Sequence, residues 1–300
     1  MKKVLALGYS QTGQLHEILR NISENIDDID LDYVEIQPQE AYPFPWDSFT
    51  FLKQMPKSFY GDTIPLKNYE TKHEKYDLII LGYQVWYLSP SVPTHSILAD
   101  EKFRKLAKDT DIVTVIGARN MWLNAQEVVK KELKTIGANL VGNIALMDSN
   151  MNMLSVLTIT HWLLKGKKNR KWGIFPLPGV QQKDIDGAKS FGPSIKTYLN
   201  DKSVDLQQSI LDKGGTKLPI HLMFVQSRAI IIFRKWGQII IKKGTTEKKL
   251  KICLTLFRYY LNTAIFFIAP IMLTIFSIVR LFIFGRLNKQ KSYYQGITLK

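Results

Sequence analysis

Short apolar runs alternate with amphipathic segments along the first two hundred residues of the chain. The apolar runs, which are typical of buried strands, cover residues 3–7, 76–83, 111–118 and 138–146, and residues 31–38 form a short alternating strand closed by Pro38. Residues 14–26 and two later connections place apolar side chains at helical spacing. This alternation predicts a parallel sheet covered on both faces. We therefore predict a doubly wound α/β fold with a five-stranded parallel sheet and a closing helix over residues 184–199.

The C-terminal third has a different pattern. Residues 259–279 carry no charge over 21 positions, a length that can cross the roughly 30 Å hydrocarbon core of a bilayer. Pro270 lies in the middle of this segment, and basic residues flank both ends. Equal positive flanks give no preferred orientation, so we predict a hairpin that bends at Pro270 and dips into one leaflet. A true span and a buried core helix are the alternatives.

The charge of the chain is concentrated in the same region. The net charge is +15, of which residues 201–300 contribute 17 basic against 4 acidic side chains, a net of +13. A basic region rich in apolar runs indicates an anionic membrane surface rather than nucleic acid. We therefore predict a folded domain over residues 1–200 and a basic, hydrophobic, membrane-associated helical region over residues 201–300.

The cysteine content and the N-terminus indicate the compartment. The single cysteine, Cys253, allows no internal disulfide and no cysteine metal cluster, which fits a reducing compartment. The N-terminal stretch "MKKVLALGYSQ" has an apolar core that is too short for a signal sequence. We therefore expect the protein on the cytoplasmic face of the inner membrane, anchored by its C-terminal hydrophobic segment, and we expect no bound metal.

A polar loop without a basic residue follows the first predicted strand. It reads "GYSQTGQ" over residues 8–14. The first strand-to-helix turn of an open parallel sheet lies at the ligand-binding edge, and backbone N–H groups at a helix N-terminus can bind a phosphate without a lysine or arginine. Gly13 allows the backbone to approach closely, and the neighbouring hydroxyl and amide side chains add donors. A simple helix N-cap is the alternative.

Two further loops follow the third and fourth predicted strands. The loop "GYQVWYLSPSVP" supplies the flat faces of Trp86 and Tyr87, and the loop "GARNMWLNAQ" supplies Arg119, Asn120 and Trp122. The ends of the first, third and fourth strands converge in a sheet of order 2-1-3-4-5. We therefore predict that the three loops form one site, with ordinary core packing as the alternative for each aromatic residue.

These loops resemble the FMN-binding loops of flavodoxins and flavodoxin-like quinone reductases. Ser10, Thr12 and Gly13 match the phosphate-loop pattern Ser/Thr-x-Thr-Gly-x-Thr of that family, and Leu15 stands where the family usually has a threonine. Gln84 replaces a frequent proline in the segment that lines the isoalloxazine ring. The resemblance implies FMN, held by Ser10, Gln11, Thr12, Gly13, Gln14, Leu15, Gln84, Val85, Trp86, Tyr87, Ala118, Arg119, Asn120 and Trp122.

The chain as a whole, with these loops and its hydrophobic tail, resembles the flavodoxin-like proteins of bacterial dialkylresorcinol and flexirubin-type pigment pathways. The resemblance implies an aromatase: a partner ketosynthase supplies a dialkyl cyclohexane-1,3-dione, and this chain oxidises its ring to a resorcinol. The family label of condensing enzyme fits the residues poorly. Condensation requires a nucleophilic cysteine, and Cys253 lies in the basic, apolar tail.

This reaction needs a group that holds an oxygen anion and a group that accepts a proton. We predict that Arg119 and Asn120 hold the dione oxygen and that His95 accepts the proton, with Tyr87 and His161 as alternatives. The expected partners are a lipid-like dione, anionic lipids and a pathway ketosynthase; a monomer and a homodimer both remain open. The rival functions are a membrane-associated NAD(P)H quinone reductase, a non-catalytic flavin electron carrier and a flavin-free scaffold.

Overall fold

Five parallel strands and one short antiparallel strand form the sheet in the computed structural model, which describes residues 1–299. The strands are β1 (Lys2–Gly8), β2 (Ile29–Glu35), β3 (Leu78–Trp86), β4 (Ser89–Pro90), β5 (Asp111–Ala118) and β6 (Asn139–Met147). The parallel strands run in the order β2-β1-β3-β5-β6. This is the flavodoxin-like order, so the predicted doubly wound fold is confirmed. The sixth strand, β4, only folds back on the end of β3.

Helices cover both faces of the sheet. On one side lie α1 (Gln14–Ser23), α7 (Gln182–Gly187), α8 (Phe191–Asn200) and α9 (Leu206–Asp212); on the other lie α3 (Val92–Ala99), α4 (Glu101–Ala107) and α5 (Leu123–Ile136). Successive residues of β1 explain this arrangement. Leu5 packs in the cluster with α3 to α5, and Ala6 packs in the cluster with α1, while both are fully buried. A strand with both faces buried reads as a continuous apolar run.

The connection between β2 and β3 contains a regular helix, α2 (Ser48–Tyr60). Its N-cap is Asp47, whose carboxylate accepts hydrogen bonds from the backbone N–H groups of Phe49 and Thr50 at 2.9 Å. This cap satisfies donors that the first turn of a helix leaves free. The aromatic and proline-rich stretch that the sequence predicts as irregular or partly helical is therefore helical in its second half.

The remaining helices belong mainly to the C-terminal region. They are α6 (Asn152–Lys165), α10 (Ile220–Lys243), α11 (Glu247–Thr263), α12 (Ala269–Val279) and α13 (Phe284–Gln295), with short 3₁₀ turns at Lys171–Gly173 and Ala188–Ser190. Helices α2, α10 and α11 share a third apolar cluster, which includes Leu52, Phe233 and Phe257. The C-terminal region therefore packs against the sheet domain through α2.

A single apolar helix runs over Glu247–Val279, and its most apolar window has a mean hydropathy of 2.1 with 6% of that window buried. It consists of α11, a π-helical turn at Ala264–Ile268 and α12. The predicted bend at Pro270 is wrong, because the helix continues through this residue. Proline lacks an N–H and its ring collides with the carbonyl four residues earlier. The π-helical turn immediately before Pro270 accommodates both effects.

The chain turns at residues 280–283 instead, and α13 returns to the sheet domain. Tyr293 donates a hydrogen bond from its hydroxyl to Glu127 on α5, and the side-chain amide of Gln295 donates to the backbone oxygen of Thr216 at 2.7 Å. Within the apolar helix, Phe276 is buried and stacks on Phe224 of α10 at a centroid distance of 4.2 Å. The apolar helix therefore lies along the domain, with both of its ends held against it.

Candidate functional site

The three predicted loops meet at the carboxyl edge of the sheet. Strands β1 and β3 are neighbours through the pair Gly8 and Gly82, and β3 and β5 through the pair Gln84 and Gly117. The side-chain oxygen of Gln84 accepts a hydrogen bond from the backbone N–H of Gln11 at 3.1 Å. The predicted convergence of the loops is therefore confirmed, and Gln84 joins the first loop directly to the second.

The first loop presents free backbone donors at the start of α1. Gly13 is the N-cap residue, with φ +82°, and it has no side chain with which to cap the helix. The Oγ atom of Ser10 accepts from the backbone N–H of Leu15 at 3.2 Å. Among the described residues, the N–H groups of Thr12 and Gly13 and the hydroxyl of Thr12 have no hydrogen-bond partner. Free N–H groups at a helix N-terminus are suited to a phosphate.

The side chains of two residues in this loop, Gln14 and Leu15, contact other parts of the protein. The side chain of Gln14 pairs with the backbone of Val180, donating to its oxygen at 3.0 Å and accepting from its N–H at 3.3 Å. Leu15 is buried in the core beneath α1. Both ends of the Gln14 amide therefore fasten the loop to Val180, and one N–H of the amide nitrogen is left for the predicted donor role.

An aromatic cluster lies beside this loop. Tyr42 and Trp46 stack on each other at 5.2 Å, and both contact the Trp86 ring edge-on, at 5.1 and 5.6 Å between centroids. Tyr9 contacts Trp86 at 6.2 Å. Such edge-to-face pairs fix the ring orientations. Trp86 is therefore held in place at the edge of the sheet by residues that the sequence reading did not assign to the site.

A cavity of about 350 Å³ begins at this cluster and extends away from the sheet. Its walls come from the loops after β1, β3 and β5, from α2 and α6, and from α10 and the apolar helix. The predicted residues that line it are Gln11, Val85, Trp86, Tyr87, Ala118, Arg119 and Asn120. Most of the other lining side chains are apolar. The described lining contains no histidine, aspartate or glutamate.

The main polar group at the sheet end of the cavity is a cluster of three residues. Arg119 donates from Nη1 to the Oδ1 of Asn152 at 2.7 Å and to its backbone oxygen at 3.3 Å, and Asn120 donates from Nδ2 to the same Oδ1 at 2.7 Å. The Oδ1 of Asn120, a residue that is 5% exposed, has no partner among the described residues. We call Arg119, Asn120 and Asn152 the polar triad.

The polar triad carries a buried positive charge. Among the described residues, no carboxylate pairs with Arg119. Desolvation lowers the pKa of Arg119 to about 10, against the weaker opposite effect of Asp148, so the group remains a cation at neutral pH. A buried cation without a partner is costly. The triad is therefore electrostatically suited to an anionic oxygen.

His95, the predicted proton acceptor, lies outside the cavity. Its Nε2 atom is 3.0 Å from the backbone oxygen of Ser58, at the interface of α3 with α2. Burial lowers the pKa of His95, so the ring is neutral and donates to this carbonyl. The structure therefore does not bring His95 into the cavity with the other predicted site residues.

The two alternatives to His95 do not replace it. Tyr87 lines the cavity, but its hydroxyl donates to the backbone oxygen of Phe51 at 2.7 Å, and burial raises its pKa well above the ordinary value. His161 lies on α6 with its Nε2 atom 3.0 Å from the Oδ1 of Asn169 and does not line the cavity. The described site therefore offers no ordinary general base.

Trp122 also differs from its predicted position. It is fully buried in the cluster that packs on α5, and its indole N–H points at the sulfur of Met147 at 3.3 Å. Its ring is enclosed by the core, so it cannot close over a planar ligand. Trp122 is therefore a core residue, which was the alternative interpretation of each aromatic residue in these loops.

Comparisons with known proteins concern the fold. No family model matches the chain, and no curated protein matches it significantly. A flavoprotein from Lactobacillus acidophilus in complex with FMN is 20% identical over 48% of this chain and 92% of its own, with a TM-score of 0.38. A Fusobacterium nucleatum flavodoxin bound to flavin mononucleotide is 12% identical over 56% and 98%, with a TM-score of 0.33. A flavone reductase is 10% identical over 68% and 65%, with a TM-score of 0.38.

Proposed function

We propose that this protein is an FMN-dependent oxidoreductase that aromatises a dialkyl cyclohexane-1,3-dione to a dialkylresorcinol at a membrane surface. The observation that carries the proposal is the polar triad at the inner end of an apolar cavity. A cation without a carboxylate partner and a buried amide oxygen without a donor suit an acidic, oxygen-bearing ring. The apolar walls suit an alkyl chain of such a ring.

The residues of the first loop fit an FMN phosphate. Thr12 and Gly13 offer N–H groups without partners, Thr12 adds a hydroxyl, and the positive end of the α1 dipole favours an anion. Gln11 and Trp86 lie between this loop and the cavity, where the ring system of the cofactor belongs. When bound, FMN supplies an acceptor for a hydride.

The absence of a histidine or carboxylate from the described lining fits this substrate. A cyclic 1,3-dione is acidic because its enolate spreads the charge over two oxygens, so it can release a proton to water before it binds. Arg119 then pairs with one enolate oxygen. The neutral enol form of the ring can bind in the same place, because its carbonyl oxygen accepts from Arg119 and its hydroxyl donates to the unpaired Oδ1 of Asn120. The chain thus binds the acidic ring as enolate or enol and holds it in place.

The proposed oxidation balances. The ring loses a proton to water from the carbon that flanks one carbonyl on the side away from the other, and it loses a hydride from the adjacent ring carbon to the acceptor that bound FMN would supply, which introduces one carbon–carbon double bond. Tautomerisation of the remaining carbonyls gives the aromatic diol, with no further change in oxidation state. Arg119 stabilises the oxygen charge throughout. The hydrophobic walls exclude water from the carbon that gives up the hydride.

The apolar helix provides the membrane contact of the proposal. Phe267, Ile271, Ile275 and Ile278 are all exposed, and the surrounding C-terminal region has the strongest positive charge of the chain. Basic side chains near an anionic bilayer each add about 1 kcal/mol. We place the enzyme on the cytoplasmic face of the inner membrane, where it would take its lipid-like substrate from a pathway ketosynthase.

An anaerobic spectroscopic assay tests the function. Protein loaded with FMN is mixed with a dialkyl cyclohexane-1,3-dione, and we expect the flavin absorbance to bleach as the resorcinol appears by mass spectrometry. A parallel sample receives NADPH without the dione. Bleaching by NADPH alone would indicate a membrane quinone reductase, and bleaching by neither reagent would indicate an electron carrier. Failure to retain FMN would indicate a flavin-free scaffold.

A further inference from the structure

We infer that one alkyl chain of an amphiphilic ligand binds in the cavity along the inner face of the apolar helix and enters through a lateral opening between that helix and α10. The identity of the ring at the polar triad rests on the proposed function. The chain site itself rests on the geometry of three helices.

The apolar helix separates the cavity from the surroundings. Leu261, Ala264, Ile265, Ile268, Ala269 and Met272 line the cavity. Their spacing of three and four residues forms one continuous stripe of a helix. Phe267, Ile271 and Ile275, which are 69%, 62% and 50% exposed, do not line the cavity. The same helix thus presents one apolar face to the cavity and another to the exterior.

The helix leaves space where an alkyl chain would lie. Ala264 and Ala269, the two smallest residues of the stripe, begin and follow the π-helical turn Ala264–Ile268. A π-helical turn inserts an extra residue and often occurs at a functional site. Val156 and Ile159 of α6 and Ala229 of α10 complete the apolar walls. None of these walls offers a hydrogen bond to the chain.

The opening of the cavity is marked by lining residues that are also exposed. Arg228 of α10 is exposed, and Ile268 of the apolar helix is 45% exposed. The guanidinium of Arg228 lies 3.9 Å above the ring of Phe224, which in turn stacks on Phe276 of the apolar helix. A cation is thus held beside the opening, next to the apolar exterior face, in a position suited to lipid headgroups.

The volume limits what the cavity can hold. About 350 Å³ is near the lower end of the range for small-molecule sites, which is roughly 300–1,000 Å³. A ring with two fatty chains does not fit in that space. We therefore assign one chain to the cavity and expect the other to remain in the bilayer beyond the opening. The ligand class is an amphiphile with an acidic oxygen group and at least one alkyl chain.

Binding of n-alkanols with four to ten carbons tests the chain site without the ring. The full-length protein without membranes is titrated, and the dissociation constant is measured by calorimetry or by the fluorescence of Trp46 and Trp86. We expect affinity to rise by about fourfold for each added methylene, as apolar burial predicts, and then to reach a plateau. Ala264→Phe should abolish this dependence because its side chain fills the cavity. Thr263→Phe, at the exposed neighbouring position, should retain it.

A second variant tests whether the effect of Ala264→Phe comes from a filled cavity or from misfolding. Ala229→Phe fills the cavity from α10, and it should also abolish the chain-length dependence while the circular dichroism spectrum stays unchanged. The inference would be overturned if alkanol affinity depended on chain length equally in the wild type, Ala264→Phe and Ala229→Phe. It would also be overturned if the wild type showed no such dependence. Because the alkanols have no dione ring, these results do not depend on turnover. If the protein oxidises the dione but shows no chain-length dependence for alkanols, only the chain site is wrong. If it shows that dependence but does not oxidise the dione, only the proposed function is wrong.

Discussion

The side-chain oxygen of Asn152 lies 2.7 Å from the Nη1 atom of Arg119 and holds this guanidinium against the cavity. Asn152 is the first residue of α6, whereas Arg119 follows β5. The hydrogen bond therefore connects a helix of the cavity wall with the carboxyl edge of the sheet. Asn152 positions the cation, and Arg119 is the group that would touch the substrate.

We expect Arg119→Gln to lower kcat/KM for the dione by about 10- to 150-fold. The variant loses a charge-assisted hydrogen bond to the enolate, which is worth about 1.5–3 kcal/mol. The measurement is the anaerobic rate of flavin bleaching as a function of dione concentration. Asn152→Ala should cause a smaller loss, because the positive charge remains but its position is less fixed. An unchanged rate in Arg119→Gln would exclude the polar triad from oxygen binding.

The phosphate loop is tested separately by FMN affinity. Thr12→Ala should weaken FMN binding by about 10- to 150-fold, since it removes a charge-assisted hydrogen bond of about 1.5–3 kcal/mol. Gly13→Val should be more damaging, because a β-branched residue is strained at φ +82°. Fluorescence titration of the apoprotein measures both constants.

Gln14→Ala is the matched control for this loop. The Gln14 amide is already paired with Val180, so its loss should reduce thermal stability and leave the phosphate contacts in place. Weaker FMN binding in Gln14→Ala than in Thr12→Ala would contradict the assignment of the phosphate site.

The fold could be predicted from the sequence because its signals are local. Continuous apolar runs identify four of the five parallel strands, an alternating run identifies β2, and Gly13 marks the turn into α1 at the edge where ligands bind. The aromatic wall depends instead on distant contacts. Trp46 is held by a hydrogen bond from its backbone N–H to the oxygen of Leu163 on α6 at 2.8 Å. No periodic pattern connects these two positions, so Trp46 and Asn152 could not be assigned to the site.

The differences between prediction and structure have a common physical origin. His95 and Trp122 lie near predicted loops, and a loop position does not reveal whether a side chain turns toward the cavity or the core. In the structure, Ser58 and Met147 satisfy their polar atoms on the core side. Pro270 indicates a break in an α-helix, but a π-helical turn allows the helix to continue. Such choices depend on tertiary packing, which the local sequence does not encode.

The lowered pKa of His95 predicts a pH dependence of stability rather than of catalysis. The ring binds protons more weakly in the folded state than in the unfolded state, where its pKa is about 6.5. The unfolded state therefore gains protons first as the pH falls, and the free energy of unfolding decreases below about pH 6.5. His95→Gln should reduce this decrease without abolishing it, because burial also lowers the pKa values of His16 and His221. Urea denaturation between pH 5 and 8 measures it.

The activity of His95→Gln provides the contrasting readout. Because His95 lies outside the cavity, the variant should oxidise the dione at the wild-type rate at pH 8. A large loss of activity in a folded variant would restore His95 as a candidate proton acceptor. An unchanged slope of stability against pH would show that another group titrates in this range.

The exposed face of the apolar helix should determine membrane binding. The double variant Ile271→Glu with Ile275→Glu replaces two outward side chains, each of which contributes about 1.5–3 kcal/mol when buried in an apolar phase. We expect its partition onto vesicles to fall at least 100-fold, measured by co-sedimentation.

Ile271→Lys with Ile275→Lys is the matched control, because it removes the same apolar contacts and adds positive charge. If insertion dominates, both variants leave anionic vesicles; if charge attraction dominates, the lysine variant binds more tightly than the wild type. Neither position lines the cavity, so a short-chain dione in solution should be oxidised normally, whereas a long-chain dione in vesicles should be oxidised slowly. Equal rates on the two substrates would contradict delivery of the substrate from the bilayer.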